Sequence, residues 1–373
     1  MFVIIFCKYF CLLEATKIQE HKEKLMVTFP YIPGKVVVSG ANGKNGFATM
    51  CELSKLPRVS ELVGLFRKPQ EKDRLQPMWR AHEEKHHKHI HATPQWTIDP
   101  QETRNAQIWI DFRGLNLSNL KKIYPNIEAE AEARGLHERD LLLFENLKIS
   151  VADTRLTLQY APQALRIQQG NPADVLVRCG VKIGYPAERI ISTSTLLESD
   201  RLINIFNQTF PAIAIDQSSV LYIGDHGETA VPVKSRILIN GVTPEEILKT
   251  AGIGDPKARM EEIYSQVLTE AFNIREKTGE TPYQGPAAIT AEVAEMILNP
   301  ARDSVVSVST YVEKNRYYDL EDIALSLPVF LGCEGVKGIH EVELAGNEWI
   351  ALNRSIDHLE EMNRTADKLL AEL

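Results

Sequence analysis

No stretch of this sequence is long and apolar enough to read as a membrane span. The greasiest run, MFVIIFCKYFCLL (1–13), is broken by Lys8 and falls short of the ~20 residues a bilayer core requires. It also lacks a basic n-region and a small-x-small cleavage site, and the charged KIQEHKEKL follows it, so it makes a poor secretion signal. A segment 1–30 is therefore expected to be an N-terminal extension of a cytoplasmic protein that makes no membrane contact, with Met26 as an alternative start. Cysteine is scarce. The five (Cys7, Cys11, Cys51, Cys179, Cys333) are odd in number and scattered, which excludes a disulfide framework and fits reduced thiols. A basic surplus is missing too: 42 Lys+Arg stand against 50 Asp+Glu, a net charge of −8, so no field exists to hold nucleic acid. Any anionic ligand must be held by a few placed arginines.

What is present is an ordinary globular composition, 44% hydrophobic and 25% charged over 373 residues, enough for two or three domains at roughly 150 residues each. From Gly34 a buried strand (KVVVSG) leads into the turn GANGKNG and a helix carrying Phe47, Met50, Leu53 and Leu56. Further strands are expected at ELVGLF (61–66), QWTID (95–99), AQIWID (106–111) and ALRIQQG, with a long amphipathic helix from Asp140 to about Tyr160. This alternation predicts a Rossmann-type, doubly wound parallel sheet over 31–191. Over 192–373 the pattern changes to long helices (about 196–210, 256–277, 285–299), the strands VVSVSTYVE and DIALSLPVFLG, and a terminal helix. The expectation is an α/β Rossmann domain followed by an α+β catalytic domain.

The glycine turn has the residues a dinucleotide pyrophosphate needs. Gly40, Gly43 and Gly46 let backbone approach phosphates, and the following helix offers free N–H groups and the positive end of its dipole. The spacing is G-x-x-G-x-x-G, and a turn of this kind can also be purely structural. The acid that would bond the adenosine ribose after the second strand is missing; Phe66, Arg67 and Lys68 stand there instead. Either Arg67 and Lys68 accept a 2′-phosphate and favour NADP, or they are solvated strand-end charges.

Further along, GDHGETAVPVKS (224–235) resembles the G-[DE]-H-G-[DE]-x-x-V-P-x-x-S segment of lactate/malate dehydrogenases. NPADVLV (171–177), STSTLLESDRL (192–202), SVSTYVE (307–313) and EDIALSLPVFLGCEGV (321–336) resemble other segments of that family, in the same order along the chain. The glycine turn has the form usual in its malate dehydrogenases. The resemblance implies an NAD(P)-dependent enzyme that interconverts a 2-hydroxy and a 2-keto acid, malate/oxaloacetate favoured, as a homodimer or homotetramer associating through helices near 47–57 and 196–210. Lactate chemistry, or a relative that keeps the dinucleotide site without catalysis, are the alternatives. A glycosidase on a related scaffold would want a Cys/His metal site, which is not evident near Asn171 or His226.

By motif position the resemblance makes His226 the proton donor and acceptor, a task suited to imidazole. Glu198 stands where the family usually has Asp to orient that ring, with Asp174 and Asp200 as alternatives. Arg201, on the same helical face as Glu198, would clamp the substrate carboxylate through paired bonds; the bland alternative is an interdomain salt bridge. GLHERDLLLFEN (135–146) resembles the mobile loop carrying the carbonyl-polarising arginine, which implies Arg139 for that role. Arg134, one residue off the family offset at Ala133, is the implied reader of a distal carboxylate. Thr281 is expected at the pocket wall, Asn171 at the reacting oxygen or the nicotinamide side, and Asn146 at the cofactor. The histidine run RAHEEKHHKHIHATP (His82, His86, His87, His89, His91) tempts a metal reading, but Lys85 and Lys88 intervene and no cysteine is near, so no metal is expected.

Overall fold

The computed structural model describes residues 32–133, 138–209, 220–227, 229–278, 282–301 and 303–373. The run of valines after Gly34 forms β1 (Ile32–Ser39), and the glycine turn leads into α1 (Lys44–Leu53). Then follow β2 (Glu61–Leu65), α2 (Glu71–His86), β3 (Pro94–Thr97) and β4 (Ala106–Asp111). Two short helices, α3 (Leu117–Ile123) and α4 (Ile127–Ala133), precede the long α5 (Glu138–Tyr160). β5 (Leu165–Gln168), α6 (Ala173–Lys182) and β6 (Ile190–Ser192) complete a parallel set in the order β3-β2-β1-β4-β5-β6. The order reverses between β1 and β4, which opens a crevice at the carboxyl ends of those strands.

Strand periodicity sorts the core. Val36, Val38, Ile108 and Ile110 pack on one side with Met50 and Leu53 of α1, whereas Val37, Val63 and Trp109 pack on the other with Ala161 and Leu156. Both faces are covered, so these strands read as continuous apolar runs.

The second half contributes α7 (Leu196–Thr209), the small pair β7 (Tyr222–Ile223) and β8 (Val231–Pro232), α8 (Pro244–Thr250), α9 (Pro256–Thr278) and α10 (Gln284–Leu298). It ends with β9 (Ser304–Asn315), β10 (Leu320–Gly332), β11 (Gly335–Ile339) and α11 (Gly346–Leu370).

Three features go beyond the sequence expectation. The boundary expected near 191 falls inside β6, which pairs antiparallel with β9 through Ile191 and Thr310. One nine-stranded sheet therefore runs through both halves, because β6 would otherwise be an exposed edge. The first part of the histidine run, to His86, is the end of helix α2. The segment before α5 holds two helices, α3 and α4, broken at Tyr124 and Pro125.

Candidate active site

At the crevice, Gly40 adopts φ +79°, a left-handed conformation natural to glycine. A Cβ on Gly46 would lie within 2.4 Å of the Gly40 carbonyl oxygen, so glycine is what allows α1 to start this close to β1. Gly43 caps α1 without any side-chain hydrogen bond, which leaves first-turn N–H groups for an anion. Gly40, Gly43, Arg67, Lys68, Glu71 and Arg113 border a cavity of about 340 Å³. Glu71, on its rim, is paired with Arg74 at 2.8 Å, and Arg74 also donates to the Asn42 carbonyl at 2.6 Å. The donor set and the glycine cradle fit the phosphates of a dinucleotide, and Arg67 and Lys68 border the same cavity.

Arg113 was not singled out by the sequence. It follows β4 directly, where a side chain can turn beneath the glycine turn, and it pairs with Asp153 of α5. Asp153 also accepts from Ser39 Oγ at 3.1 Å and Trp109 Nε1 at 3.2 Å. Beside it, Arg166 donates to Asp111 at 2.7 Å, both side chains being fully buried. The only sequence signal was a pair of charges, Asp111 and Arg166, inside otherwise apolar strands. Asn146, expected at the cofactor, has another task. Its Oδ1 accepts from the Leu115 N–H at 2.6 Å, and its Nδ2 donates to the carbonyls of Leu115 and Asn171 at 3.0 and 2.7 Å. The side chain ties the loop after β4 to the loop after β5.

Around Phe112 a second cavity, about 200 Å³, is lined by Asn171, Arg201, His226, Gln169, Thr193 and Pro282, with Phe112 shared between the two. His226 lies in a bend between Gly224 and Gly227, whose φ angles are +89° and +135°. A Cβ on Gly224 would press on Ser355 Oγ at 2.6 Å, and that oxygen accepts from the Asp225 N–H at 2.7 Å. The bend is pinned again where the His226 N–H donates to Asp174 Oδ2 at 3.1 Å. Asp225 Oδ2 takes Thr229 Oγ1 at 2.9 Å and His358 Nδ1 at 3.1 Å.

The imidazole itself meets Glu198. Its Nδ1 is 3.1 Å from Oε2, while Oε1 of the same carboxylate accepts from Arg201 Nη1 at 3.0 Å. Glu198 is 1% exposed. That negative charge, partly opposed by burial, pushes the His226 pKa up to about 9, with Asp174 adding to the rise. Among the alternatives weighed for the partner, Asp174 lies against the His226 backbone instead of its ring. Burial and the neighbouring Asp225 carboxylate raise the Asp174 pKa to about 7. The arrangement can hold a proton at Nε2 of an oriented imidazolium, next to a guanidinium that binds carboxylates.

Arg134, Thr281 and the side chain of Arg139 lie outside the described residues. In the histidine run, the His82 ring lies tilted against those of Trp79 and His86, with centroids 5.3 and 4.7 Å away. Among the described residues no group of three His, Cys, Asp or Glu side chains is placed to hold a metal ion. No described helix is long and apolar enough to cross a membrane.

Residues 195–369 match the lactate/malate dehydrogenase, alpha/beta C-terminal domain. Malate dehydrogenase 2 of Aquifex aeolicus is 33% identical over 240 residues, 63% of this chain and 69% of that protein. The L-lactate dehydrogenase of Moorella thermoacetica is 32% identical over 208 residues, 55% of this chain and 64% of that protein. In fold, the chain superimposes on the malate dehydrogenase of Salinibacter ruber with a TM-score of 0.73 at 23% identity, covering 91% of this chain and 99% of the other. With a relative 33% identical and matched over more than two thirds of its own length, and with the histidine and the arginine lining one cavity and a buried carboxylate bonded to both, the chain belongs to the lactate/malate dehydrogenase family.

Proposed function

We propose that the protein is a nicotinamide-dependent 2-hydroxy acid dehydrogenase, with malate and oxaloacetate as the favoured pair. The observation that carries this reading is the 3.1 Å bond between His226 and the buried Glu198, behind the cavity that presents His226, Arg201 and Asn171. A bound nicotinamide would supply the hydride donor or acceptor. The chain's own residues do the rest. Arg201 takes the substrate carboxylate and so aims the reacting carbon, which sits next to that carboxylate. His226, protonated at neutral pH, gives its Nε2 proton to the oxygen of a keto acid as that oxygen gains charge, and takes it back in oxidation. Glu198 holds the ring by Nδ1 and stabilises the imidazolium. Arg139, at the start of α5, is assigned to polarise the carbonyl, and Arg134 to read the distal carboxylate; Thr281 completes the wall.

The finer cofactor choice is NADP over NAD, supported by Arg67 and Lys68 at the cavity edge and by the engagement of Glu71 with Arg74. A homodimer or homotetramer is the proposed working form.

The test is nicotinamide absorbance with oxaloacetate or pyruvate, and NADH or NADPH. Oxaloacetate is expected to give the higher kcat/KM, and His226→Asn to lower kcat by about 10²- to 10⁴-fold. A higher kcat/KM with pyruvate would move the assignment to lactate, for which the Moorella relative is the precedent in name. No turnover with either acid would leave a dinucleotide-binding protein without this catalysis.

A further inference from the structure

Arg201 meets two carboxylates. Glu198 accepts from Nη1 at 3.0 Å, and Glu270 of α9 brings Oε2 to 3.7 Å from Nε. The two acids are differently placed. Glu198 is 1% exposed and bound at its other oxygen to His226, whereas the Glu270 side chain is 33% exposed and sits at ion-pair rather than hydrogen-bond distance. Glu198 is committed; Glu270 can leave.

We propose that Glu270 is a specificity-determining residue that competes with the substrate carboxylate for the Arg201 guanidinium, so that it sets affinity and leaves the rate of the chemical step alone. This rests on the dehydrogenase reading, in which Arg201 receives that carboxylate. The reason is charge balance. The side chains of Arg201 and protonated His226 carry two positive charges, and Glu198 and Glu270 carry two negative ones. With Glu270 in place these four charges cancel before any ligand arrives, and Asp174 against the His226 backbone adds only negative charge, so an incoming carboxylate meets no net attraction from the group. With Glu270 displaced the group carries one positive charge, matched to one substrate carboxylate. A partly exposed ion pair of this length is weak, so displacement costs little and the site remains usable. Nε and one Nη of a guanidinium form one of its two-pronged edges, and Glu270 lies against that edge. The proton path through His226 and Glu198 does not include Glu270.

The experiment compares the natural chain with Glu270→Gln, which keeps shape and removes charge, and with Glu270→Asp, which keeps charge. Two quantities are read: steady-state kcat and KM with oxaloacetate and pyruvate, and the Kd of oxalate, a small non-reacting carboxylate probe, by calorimetry in the presence of saturating NADPH. Glu270→Gln is expected to lower KM and the oxalate Kd by about threefold, the size of a weak exposed ion pair, with kcat unchanged, while Glu270→Asp stays near the natural values. Oxalate binding that is equal in the natural chain and Glu270→Gln overturns the inference, as does a fall in kcat with KM unmoved. Absence of turnover in the natural chain overturns the dehydrogenase reading instead, and the oxalate measurement then still decides for or against Glu270.

Discussion

The carboxylate of Glu198 is shared between two cations, with His226 Nδ1 at 3.1 Å from one oxygen and Arg201 Nη1 at 3.0 Å from the other. One buried acid thus orients both the ring that moves the proton and the guanidinium that receives the substrate. Helix α7 makes this possible by placing Glu198 and Arg201 three residues apart on one face.

Glu198→Gln should therefore damage both functions at once. The amide can still fill the space, yet it no longer stabilises the imidazolium, and kcat/KM for oxaloacetate is expected to fall by about 10²- to 10⁴-fold. Glu198→Asp withdraws the carboxylate by about 1.5 Å and should fall between the two. A Glu198→Gln enzyme with natural kcat/KM would dismiss the dyad.

The pH dependence has a definite sign. His226 is held protonated up to about 9, so kcat/KM for keto-acid reduction, which needs the proton, should be flat at neutral pH and fall above about 9. Hydroxy-acid oxidation needs the neutral ring and should rise with pH toward the same value. Because the folded-state pKa is raised, the stability due to this pair is fully present below the unfolded value of about 6.5 and is lost as pH climbs through the folded one. Rate profiles in both directions check this; an inflection near the unperturbed histidine value in both would contradict it.

At the dinucleotide cavity, Arg67→Ala is expected to raise the Kd of NADPH by about tenfold, the worth of one charge-assisted bond, and to leave NADH within about twofold. Fluorescence titration of each reduced cofactor measures both. Equal effects on the two would remove the case for a 2′-phosphate site.

Beneath the crevice, the fully buried pair Arg166 and Asp111 at 2.7 Å should be costly to break from one side. Arg166→Met strands a carboxylate in the interior and is expected to destabilise the fold by about 3 to 5 kcal/mol, read by urea unfolding. The double change with Asp111→Asn should cost less than the two single changes added together. A loss below about 1 kcal/mol for Arg166→Met would mean that Asp111 is satisfied by its other neighbours.

Much of the parallel sheet was legible because its strands are short apolar runs bounded by glycine and charge. β1, β2, β4 and β5 lie where the valine- and isoleucine-rich segments are. The continuity of the sheet through β6 was not legible, because pairing between residues 191 and 310 leaves no mark on either strand's own pattern. The same holds for the site. His226 announces itself by GDHG, whereas Arg113 and Glu270 lie in segments with no distinctive spacing, and the bonds of the Asn146 amide to the backbone of two loops leave no mark on the sequence.

The sequence by itself determined the local elements, the glycine turn, and the histidine flanked by glycines, since each depends on residues within a turn or two of one another. It also showed a net charge of −8 that any anionic substrate must overcome. Which carboxylate reaches the imidazole was decided only by the tertiary structure. Glu198, Asp174 and Asp200 were all candidates in one dimension; the bend at Gly224 and the line of α7 bring Glu198 to the ring and turn Asp174 to the backbone. The physical reason is that an interaction between side chains tens of residues apart depends on the path of the chain between them, and that path is set by how the whole sheet packs.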